Sequence, residues 1–152
     1  MKLTTKGRYA VTALVDFALN QREEPMSIAE VATRHGISAT YLERLAGQLR
    51  AKGLLKSVRG SKGGYHLAKP ATDITVADII QAVDEKMDTT ACQGKANCHE
   101  GSVCITHHLW DRLNQQIVDF LTSITLSELI KEPKLLSHKP KLLPLQWVVN
   151  HA

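Results

Sequence analysis

Residues 27–67, SIAEVATRHGISATYLERLAGQLRAKGLLKSVRGSKGGYHL, contain most of the signals that predict the architecture of this chain. This stretch begins with a capping box, because the Ser27 oxygen can accept a first-turn backbone N–H while the Glu30 carboxylate reaches back to the serine N–H. The helix that follows should cover residues 28 to about 35 and end at Gly36, since glycine is favoured just past a helix C-terminus. This part of the stretch therefore predicts one short helix with defined ends.

A second helix is predicted directly after the turn HGIS. Ser38 is a good N-cap, and the helix should run from residue 39 to about 52, where Gly53 closes it. Its buried face consists of leucines at helical spacing: Leu42, Leu45 and Leu49. Its outward face carries polar and charged side chains: Thr40, Tyr41, Glu43, Arg44, Gln48 and Arg50. Two short helices joined this way indicate a helix-turn-helix, although an ordinary solvated helix face has the same pattern.

The residues after this pair predict a β-hairpin with a basic tip. Residues 54–58 and 65–67 look like two short strands, and residues 59–64, RGSKGG, lie between them. Glycines permit positive φ and close backbone approach, and two cations on such a tip suit a phosphate backbone or a minor groove. The alternative is a plain hairpin turn, but such turns seldom combine arginine, lysine and three glycines. A helix-turn-helix followed by a basic β-wing predicts a winged helix.

Two more helices should complete this domain. Residues 8–20 place Val11, Leu14, Phe17 and Ala18 at helical spacing. Residues 70–85 should form another helix, whose N-terminal capping box pairs Thr75 with Asp78. The predicted fold class is mainly α with a small β-wing: a winged helix-turn-helix DNA-binding domain over residues 1–85, followed by a long dimerisation helix.

All three cysteines lie in one short segment with the spacing C-x5-C-x5-C-x2-H. The candidate metal ligands are Cys92, Cys98, Cys104 and His107. Thiolates are soft ligands that suit an iron–sulfur cluster or zinc, and an odd cysteine count disfavours a disulfide framework. From spacing alone, His108 and His99 are alternative fourth ligands, and the alternatives for the whole segment are structural zinc or three buried thiols. Residues 86–107 are the predicted cluster-binding loop, called the ligand loop below.

Residues 105–124 predict a long amphipathic helix. Its apolar stripe is the candidate dimer interface: Leu109, Leu113, Ile117, Phe120, Leu121 and Ile124. A chain this small has little core left to cover the stripe, so pairing with a second copy is favoured over packing on its own winged domain. We expect a homodimer that binds a roughly palindromic operator. In each copy, the second helix of the helix-turn-helix, here called the recognition helix, would read one half of that operator. The predicted dimerisation region, residues 105–131, includes a short helix after the long one. Residues 132–152 form a tail that is either disordered or docked on the dimer.

Charge is unevenly distributed along the chain. Residues 1–70 carry 12 Lys/Arg and five Asp/Glu, whereas residues 71–130 carry three and nine. A basic first half suggests double-stranded DNA as the partner, although an ordinary solvated surface gives the same balance. The absence of a long apolar run and of a signal-peptide pattern predicts a cytoplasmic protein with no membrane partner. No nucleophile–base pair or nucleotide loop is evident, so we expect neither an enzyme nor a small-molecule substrate.

Four strings together resemble the IscR family of bacterial iron–sulfur cluster regulators. They are MKLTTKGRYAVTALVDFAL (1–19), GISATYLERLAGQLR (36–50), SVRGSKGGYHLAKP (57–70) and the cysteine–histidine segment, in family order from residue 1 to about 130. The resemblance implies a dimeric winged-helix transcription factor that senses cluster status and controls cluster-biogenesis genes. It also implies a [2Fe–2S] cluster on Cys92, Cys98, Cys104 and His107.

DNA contacts are expected from the recognition helix, the wing and the chain start: Lys6, Arg8, Ser38, Thr40, Tyr41, Glu43, Arg44, Arg50, Arg59, Gly60 and Lys62. At position 44, arginine favours guanine O6/N7 over adenine. Two other functions compete with cluster sensing. One is a DNA-binding repressor with a structural zinc site, and the other is a redox or electron-transfer protein, which would not need a basic wing.

Overall fold

The computed structural model describes residues 4–85, 88, 90, 92, 94–98 and 101–131. These residues form, in chain order, α1 (Thr5–Leu19), α2 (Ile28–His35), α3 (Ala39–Ala51), β1 (Leu55–Val58), β2 (Gly64–Leu67), α4 (Val76–Ala82), α5 (His107–Ser123) and α6 (Leu126–Lys131), with a 3₁₀ turn at Ala71–Asp73. The predicted fold class, mainly α with a small β-wing, is confirmed. The tail, residues 132–152, lies outside the described residues.

Helices α2 and α3 begin at side-chain caps that the sequence predicts. Both halves of the Ser27–Glu30 capping box are present, with the Glu30 Oε2 2.8 Å from the Ser27 backbone nitrogen. Gly36 ends α2 in the left-handed conformation at φ 63°. Ser38 then caps α3 by accepting the backbone N–H of Tyr41. Local side-chain chemistry therefore fixes the turn between the two helices.

The two strands form an antiparallel hairpin, the wing, in which Leu55 pairs with Leu67 and Val58 with Gly64. The wing is attached to the rest of the domain at Met26, whose backbone exchanges hydrogen bonds of 3.0 and 2.8 Å with Tyr65. A Cβ on Gly64 would lie 2.5 Å from the Met26 carbonyl oxygen. Glycine at this position therefore lets the wing approach the segment before α2.

The core lies between α1, α3 and α4 and is completed by α6. Its largest fully buried side chains include Leu14, Leu45, Leu49, Ile79 and Leu126. Residues 74 and 126 are also joined through the backbone, because the Leu126 N–H donates to the Ile74 carbonyl at 2.8 Å. The chain after α5 thus returns to the winged unit. The proposed domain boundaries (1–85, 86–107 and 105–131) stay predictions.

A buried carboxylate ties α1 to α2. Asp16 is 5% exposed, and its Oδ2 accepts hydrogen bonds from Nη2 and Nε of Arg34 at 2.7 and 3.1 Å. Its Oδ1 accepts from the Asn20 amide at 2.7 Å. A buried charge needs partners to offset its lost hydration, and here the partner from α2, Arg34, joins that helix to α1.

Two helices are shorter than the sequence patterns predict. The helix expected over residues 70–85 is a 3₁₀ turn followed by α4, which ends at Ala82 because Asp84 adopts a positive φ of 53°. The helix expected over 105–124 begins at His107 and ends at Ser123. Within the described residues, no helix combines the length and apolar character that a membrane span needs.

Candidate metal centre and nucleic-acid interface

Three of the four predicted ligands converge at the start of α5. The Sγ atoms of Cys92 and Cys98 each lie 3.6 Å from Nδ1 of His107, and the three ligand atoms are all within 4.8 Å of one another. His107 is the first residue of α5, so the helix fixes the imidazole while the ligand loop brings the thiols to it. Such a group of soft donors can hold a metal ion.

Cys104 lies beside this group, but its Sγ is not one of the three ligand atoms that lie within 4.8 Å of one another. Its backbone N–H donates to the Cys98 Sγ at 3.2 Å, and its own Sγ is 3.7 Å from the Thr106 hydroxyl. The Cys104 carbonyl accepts the His107 N–H at 3.0 Å, which turns the chain into α5. The structure therefore brings all four predicted ligands to one place, with Cys98 between the other two thiols.

The ligands surround a cavity of about 230 Å³ at the first turn of α5. It is lined by Thr90, Cys92, Cys98, Cys104, Thr106, His107 and Trp110. A donor set of three thiols and one imidazole suits a [2Fe–2S] cluster with one histidine ligand, and it equally suits a tetrahedral zinc ion. The residues present fit either group.

The three thiols differ in environment. Burial raises the pKa of the Cys92 thiol, but hydrogen bonds from the Thr90 hydroxyl and from the loop backbone outweigh it and lower the pKa to about 6. A hydrogen bond from Cys98 lowers the pKa of Cys104, with help from Thr106. At Cys98, the hydrogen bond from the Cys104 backbone N–H lowers the pKa of the thiol. The neighbouring thiols and burial outweigh it and raise the pKa. The pKa is therefore lowered at Cys92 and Cys104 and raised at Cys98.

The alternative histidine ligands differ in placement from His107. His107 is 8% exposed, whereas His108 is exposed and its ring meets that of His107 edge-on at 5.7 Å between centroids. His99 lies outside the described residues. Geometry thus favours His107 over His108.

The N-terminal half of α3 presents the predicted DNA-contacting face. Thr40, Glu43 and Arg44 are exposed. The Arg44 guanidinium lies over the Tyr41 ring at 5.2 Å, and Tyr41 in turn meets Tyr9 of α1 edge-on at 6.1 Å. This stack holds Arg44 at the surface in a defined direction. Tyr41 and Gln48, both expected to point outward, are half-buried.

The wing tip is exposed across an open groove from α3. The groove measures about 440 Å³ and has Glu43 on one wall and Arg59 and Gly60 on the other. Lys62, also at the tip, forms an exposed ion pair with Glu24 at 3.2 Å. Gly60 has a φ of 130°, which favours glycine.

The remaining predicted DNA contacts, Lys6, Arg8, Ser38 and Arg50, are not among the residues that line this groove. Ser38 is exposed, but its hydroxyl is used as the α3 cap. Lys6 and Arg8 belong to the first turn of α1, where Arg8 is exposed and Lys6 is half-buried. Arg50, at the far end of α3, contacts the Ser57 hydroxyl at 3.4 Å.

Helix α5 exposes an apolar stripe. Leu109, Leu113 and Phe120 are 60%, 41% and 62% exposed. The other members of the predicted dimer interface, Ile117, Leu121 and Ile124, are half-buried. Neighbouring exposed apolar side chains of this kind are typical of interaction surfaces.

Comparison with known proteins places this chain in a family of transcriptional regulators. The family model Rrf2, iron-dependent transcriptional regulator, matches residues 3–132. The chain belongs to the Rrf2 family. It is 50% identical over 136 residues to the HTH-type transcriptional regulator IscR of Klebsiella pneumoniae (strain 342), covering 90% of this chain and 83% of the relative. The IscR of Vibrio vulnificus (strain YJ016) is 46% identical over 152 residues, covering 100% and 90%.

Solved structures place the fold in the same family. T. potens IscR superposes with a TM-score of 0.72 at 38% identity, covering 88% of each chain. CymR, the global cysteine regulator of B. subtilis, gives a TM-score of 0.74 at 33% identity, covering 86% of this chain and 97% of that one. This Rrf2 member is therefore a DNA-binding transcriptional regulator of the IscR type, and it is not an enzyme.

Sequence reasoning missed the residues that hold the ligand loop. Asp88, Thr90 and Asn114 are joined by hydrogen bonds, and the Trp110 indole donates to the Thr106 hydroxyl at 3.2 Å. The polar residues before Cys92 resemble any solvated loop, so only the fold shows that they face α5.

Proposed function

We propose that this Rrf2 regulator is a homodimer that senses iron–sulfur cluster status through a [2Fe–2S] cluster and controls cluster-biogenesis genes. The observation that carries the proposal is the convergence of Cys92, Cys98 and His107 within 4.8 Å at the start of α5. Cys104, adjacent to Cys98, supplies the fourth ligand. The description of the matched family, an iron-dependent transcriptional regulator, supports an iron-containing group at this site.

The donor set suits a sensor better than a permanent cofactor site. When bound, the cluster supplies a redox-active and oxygen-sensitive group whose occupancy follows cellular supply. An imidazole in place of a thiolate removes one negative charge and lets a proton compete for the ligand nitrogen. His107 and the partly exposed Cys98 and Cys104 would therefore hold the group less firmly than four buried thiolates.

Dimerisation is proposed through the exposed stripe of α5. Leu109, Leu113 and Phe120 would pack on the same helix of a second copy, together with Ile117, Leu121 and Ile124. Two-fold symmetry then places two α3 helices and two wings on one side of the dimer. Half-sites one helical turn apart, about 34–36 Å or a multiple, follow from that symmetry and make the operator roughly palindromic.

The proposed coupling runs from the ligand loop to DNA through the dimer. Ligation orders residues 92–107, which connect the winged unit to α5, and ordering sets the spacing of the two recognition helices. Loss of the cluster loosens this connection and changes operator choice. Glu43 contributes to that choice, because an exposed acid facing the wing repels phosphate unless a cytosine amino group meets it.

The test is a visible absorption spectrum of full-length protein purified without oxygen, with iron, sulfide and zinc assayed on the same sample. A reddish-brown protein with about equal iron and sulfide is expected, and Cys92→Ala should bleach it. Glu43→Ala should change the ranking of operators by affinity in the apo or the cluster-bound form. An unchanged ranking in both forms would contradict the role of Glu43.

A DNA-binding repressor with a structural zinc site is the second candidate. It is favoured by the same donor set, because Cys₃His is an established zinc set in small domains. A colourless sample with one zinc per chain would support it and would leave the DNA-binding function intact. The C-x2-C pairs usual in zinc sites do not occur in this segment.

A further inference from the structure

Asp88 lies at the start of the ligand loop and joins it to α5. Its Oδ1 accepts a hydrogen bond from the Asn114 amide at 2.8 Å, although the two residues are 26 positions apart. The same oxygen accepts the backbone N–H and the hydroxyl of Thr90, each at 2.7 Å. One carboxylate oxygen therefore fastens the turn before Cys92 to the side of a helix.

Thr90 carries this connection onward to a predicted ligand. It is 8% exposed, its hydroxyl accepts the Gly94 N–H at 2.8 Å, and it lines the same cavity as Cys92. The hydroxyl donates its one proton to Asp88 and accepts from Gly94, so it holds both sides of the turn that contains Cys92. Asn114 and the Thr90 backbone donate to the same carboxylate, which fastens this turn to α5.

We propose that Asp88, Thr90 and Asn114 are positioning residues that fix Cys92, the most buried thiol of the candidate centre, against α5. The inference rests on the proposed function, because it assumes that Cys92 ligates a metal. Groups that hydrogen-bond a ligand orient it, and their loss commonly costs about 10- to 100-fold in metal affinity. Here the carboxylate is one step removed from the thiol, with the Thr90 hydroxyl between them.

Asn114 also connects the ligand loop to the proposed dimer helix. Asn114 is half-buried on α5, the helix that carries the proposed dimer stripe, and it lies two turns beyond His107. The His107 imidazole and the Asn114 amide therefore both attach the ligand loop to α5. A change in the Cys92 thiol reaches the dimer helix through Thr90, Asp88 and Asn114, independently of His107.

The test is a titration of the full-length apoprotein with Co²⁺ in the absence of oxygen. Binding is monitored by the thiolate-to-cobalt charge-transfer absorption. Thr90→Val, which removes the hydroxyl but keeps the shape, should raise the Co²⁺ Kd by about 10- to 100-fold. Thr90→Ser restores the hydroxyl and should bring the Kd back near the wild-type value. Asn114→Ala removes one hydrogen bond to Asp88 and should raise the Kd by about three- to tenfold. Gln116→Ala and Thr122→Val, at exposed positions of α5, are the matched controls and should leave the Kd unchanged.

The outcomes separate positioning from a structural role. The inference would be overturned if Thr90→Val and Asn114→Ala both bind Co²⁺ with the wild-type Kd and show the wild-type spectrum, even if their thermal stability falls. If Thr90→Val does not fold, Asn114→Ala decides alone, and an unchanged Kd overturns the inference. A wild-type protein that shows no thiolate-to-cobalt band would instead overturn the proposed metal centre itself.

Discussion

The Sγ of Cys92 lies 3.6 Å from Nδ1 of His107, although 15 residues separate them in the chain. Both side chains are buried, at 9% and 8% exposure. The Cys98 Sγ lies at the same distance from this nitrogen, so two thiols meet one buried imidazole. This arrangement supports the proposed ligation of a shared metal.

His107→Ala should therefore abolish or strongly reduce cluster content, whereas His108→Ala should retain it. His108 is the matched control because it is the same residue type, adjacent in sequence and exposed. Iron and sulfide per chain and the visible spectrum of both variants give the measurement. Equal losses in the two variants would show that the imidazole of His107 is not specifically required.

Arg59→Ala should weaken DNA binding nearly equally for all sequences. The side chain is exposed on the wing tip, so we expect a contact to the phosphate backbone. Loss of one phosphate contact lowers the slope of log K against log salt by about one. The measurement is operator binding at several salt concentrations, with Arg112→Ala, an exposed arginine on α5, as control. An unchanged slope for Arg59→Ala would show that the wing tip does not contact the phosphate backbone through Arg59.

Signals that are local in sequence predicted much of the fold. The capping boxes at Ser27–Glu30 and Thr75–Asp78 are both formed, because each needs only residues three positions apart. The spacing of cysteines and histidine likewise placed the candidate centre, since a short loop and the first turn of a helix must bring them near one another.

Long-range polar contacts could not be predicted in the same way. Glu85 accepts the backbone N–H of Thr4, and it occupies the space that a Cβ on Gly7 would need. Nothing near residue 85 indicates that its carboxylate is buried against the start of α1. Asp88 and Asn114 are a second case, because acids and amides are usual in solvated loops and helix faces. Such pairs become visible only once packing has fixed the helices.

Asp16→Ala should destabilise the protein by about 2 kcal/mol, because it leaves Arg34 and Asn20 without their shared acceptor. The value lies below that for a fully buried pair because the Arg34 side chain is 40% exposed and can be hydrated. Glu24→Ala removes an ion pair with Lys62 that is exposed on both sides, so it should cost less than about 0.5 kcal/mol. Urea unfolding of both variants at pH 7 gives the comparison, and similar costs would contradict the structural role of Asp16.

The ionised Glu30 should stabilise the fold in a pH-dependent way. Hydrogen bonds from the Ser27 backbone, from Arg22 and from the Ser27 side chain lower the pKa of Glu30 from 4.5 to about 2. Because the folded-state pKa is lowered, the contribution is complete above about pH 4.5 and is lost as the pH falls towards 2.

Glu30→Gln tests this, since it keeps an acceptor for the capping box but cannot titrate. Wild type should be more stable than the variant at pH 7, by less than about 1 kcal/mol for a side chain this exposed, and the difference should narrow steadily below pH 4.5. Denaturant unfolding at several pH values between 7 and 3 gives the measurement. Arg22→Ala removes one cause of the lowered pKa and should weaken the dependence. A difference that stays constant with pH would show that the charge of Glu30 is not involved.

Two glycines should respond to alanine with opposite sign. At Gly64 the new Cβ would lie 2.5 Å from the Met26 carbonyl oxygen, and backbone atoms cannot move away without breaking the Met26–Tyr65 bridge. Gly64→Ala should therefore cost about 1–3 kcal/mol and lower DNA affinity, because it displaces the wing. Gly47, inside α3, has no atom within 4 Å of the added Cβ, so Gly47→Ala should stabilise by about 0.5–1 kcal/mol. Urea unfolding of both variants at pH 7 provides the test, and a destabilised Gly47→Ala or a neutral Gly64→Ala would contradict the packing of the wing described above.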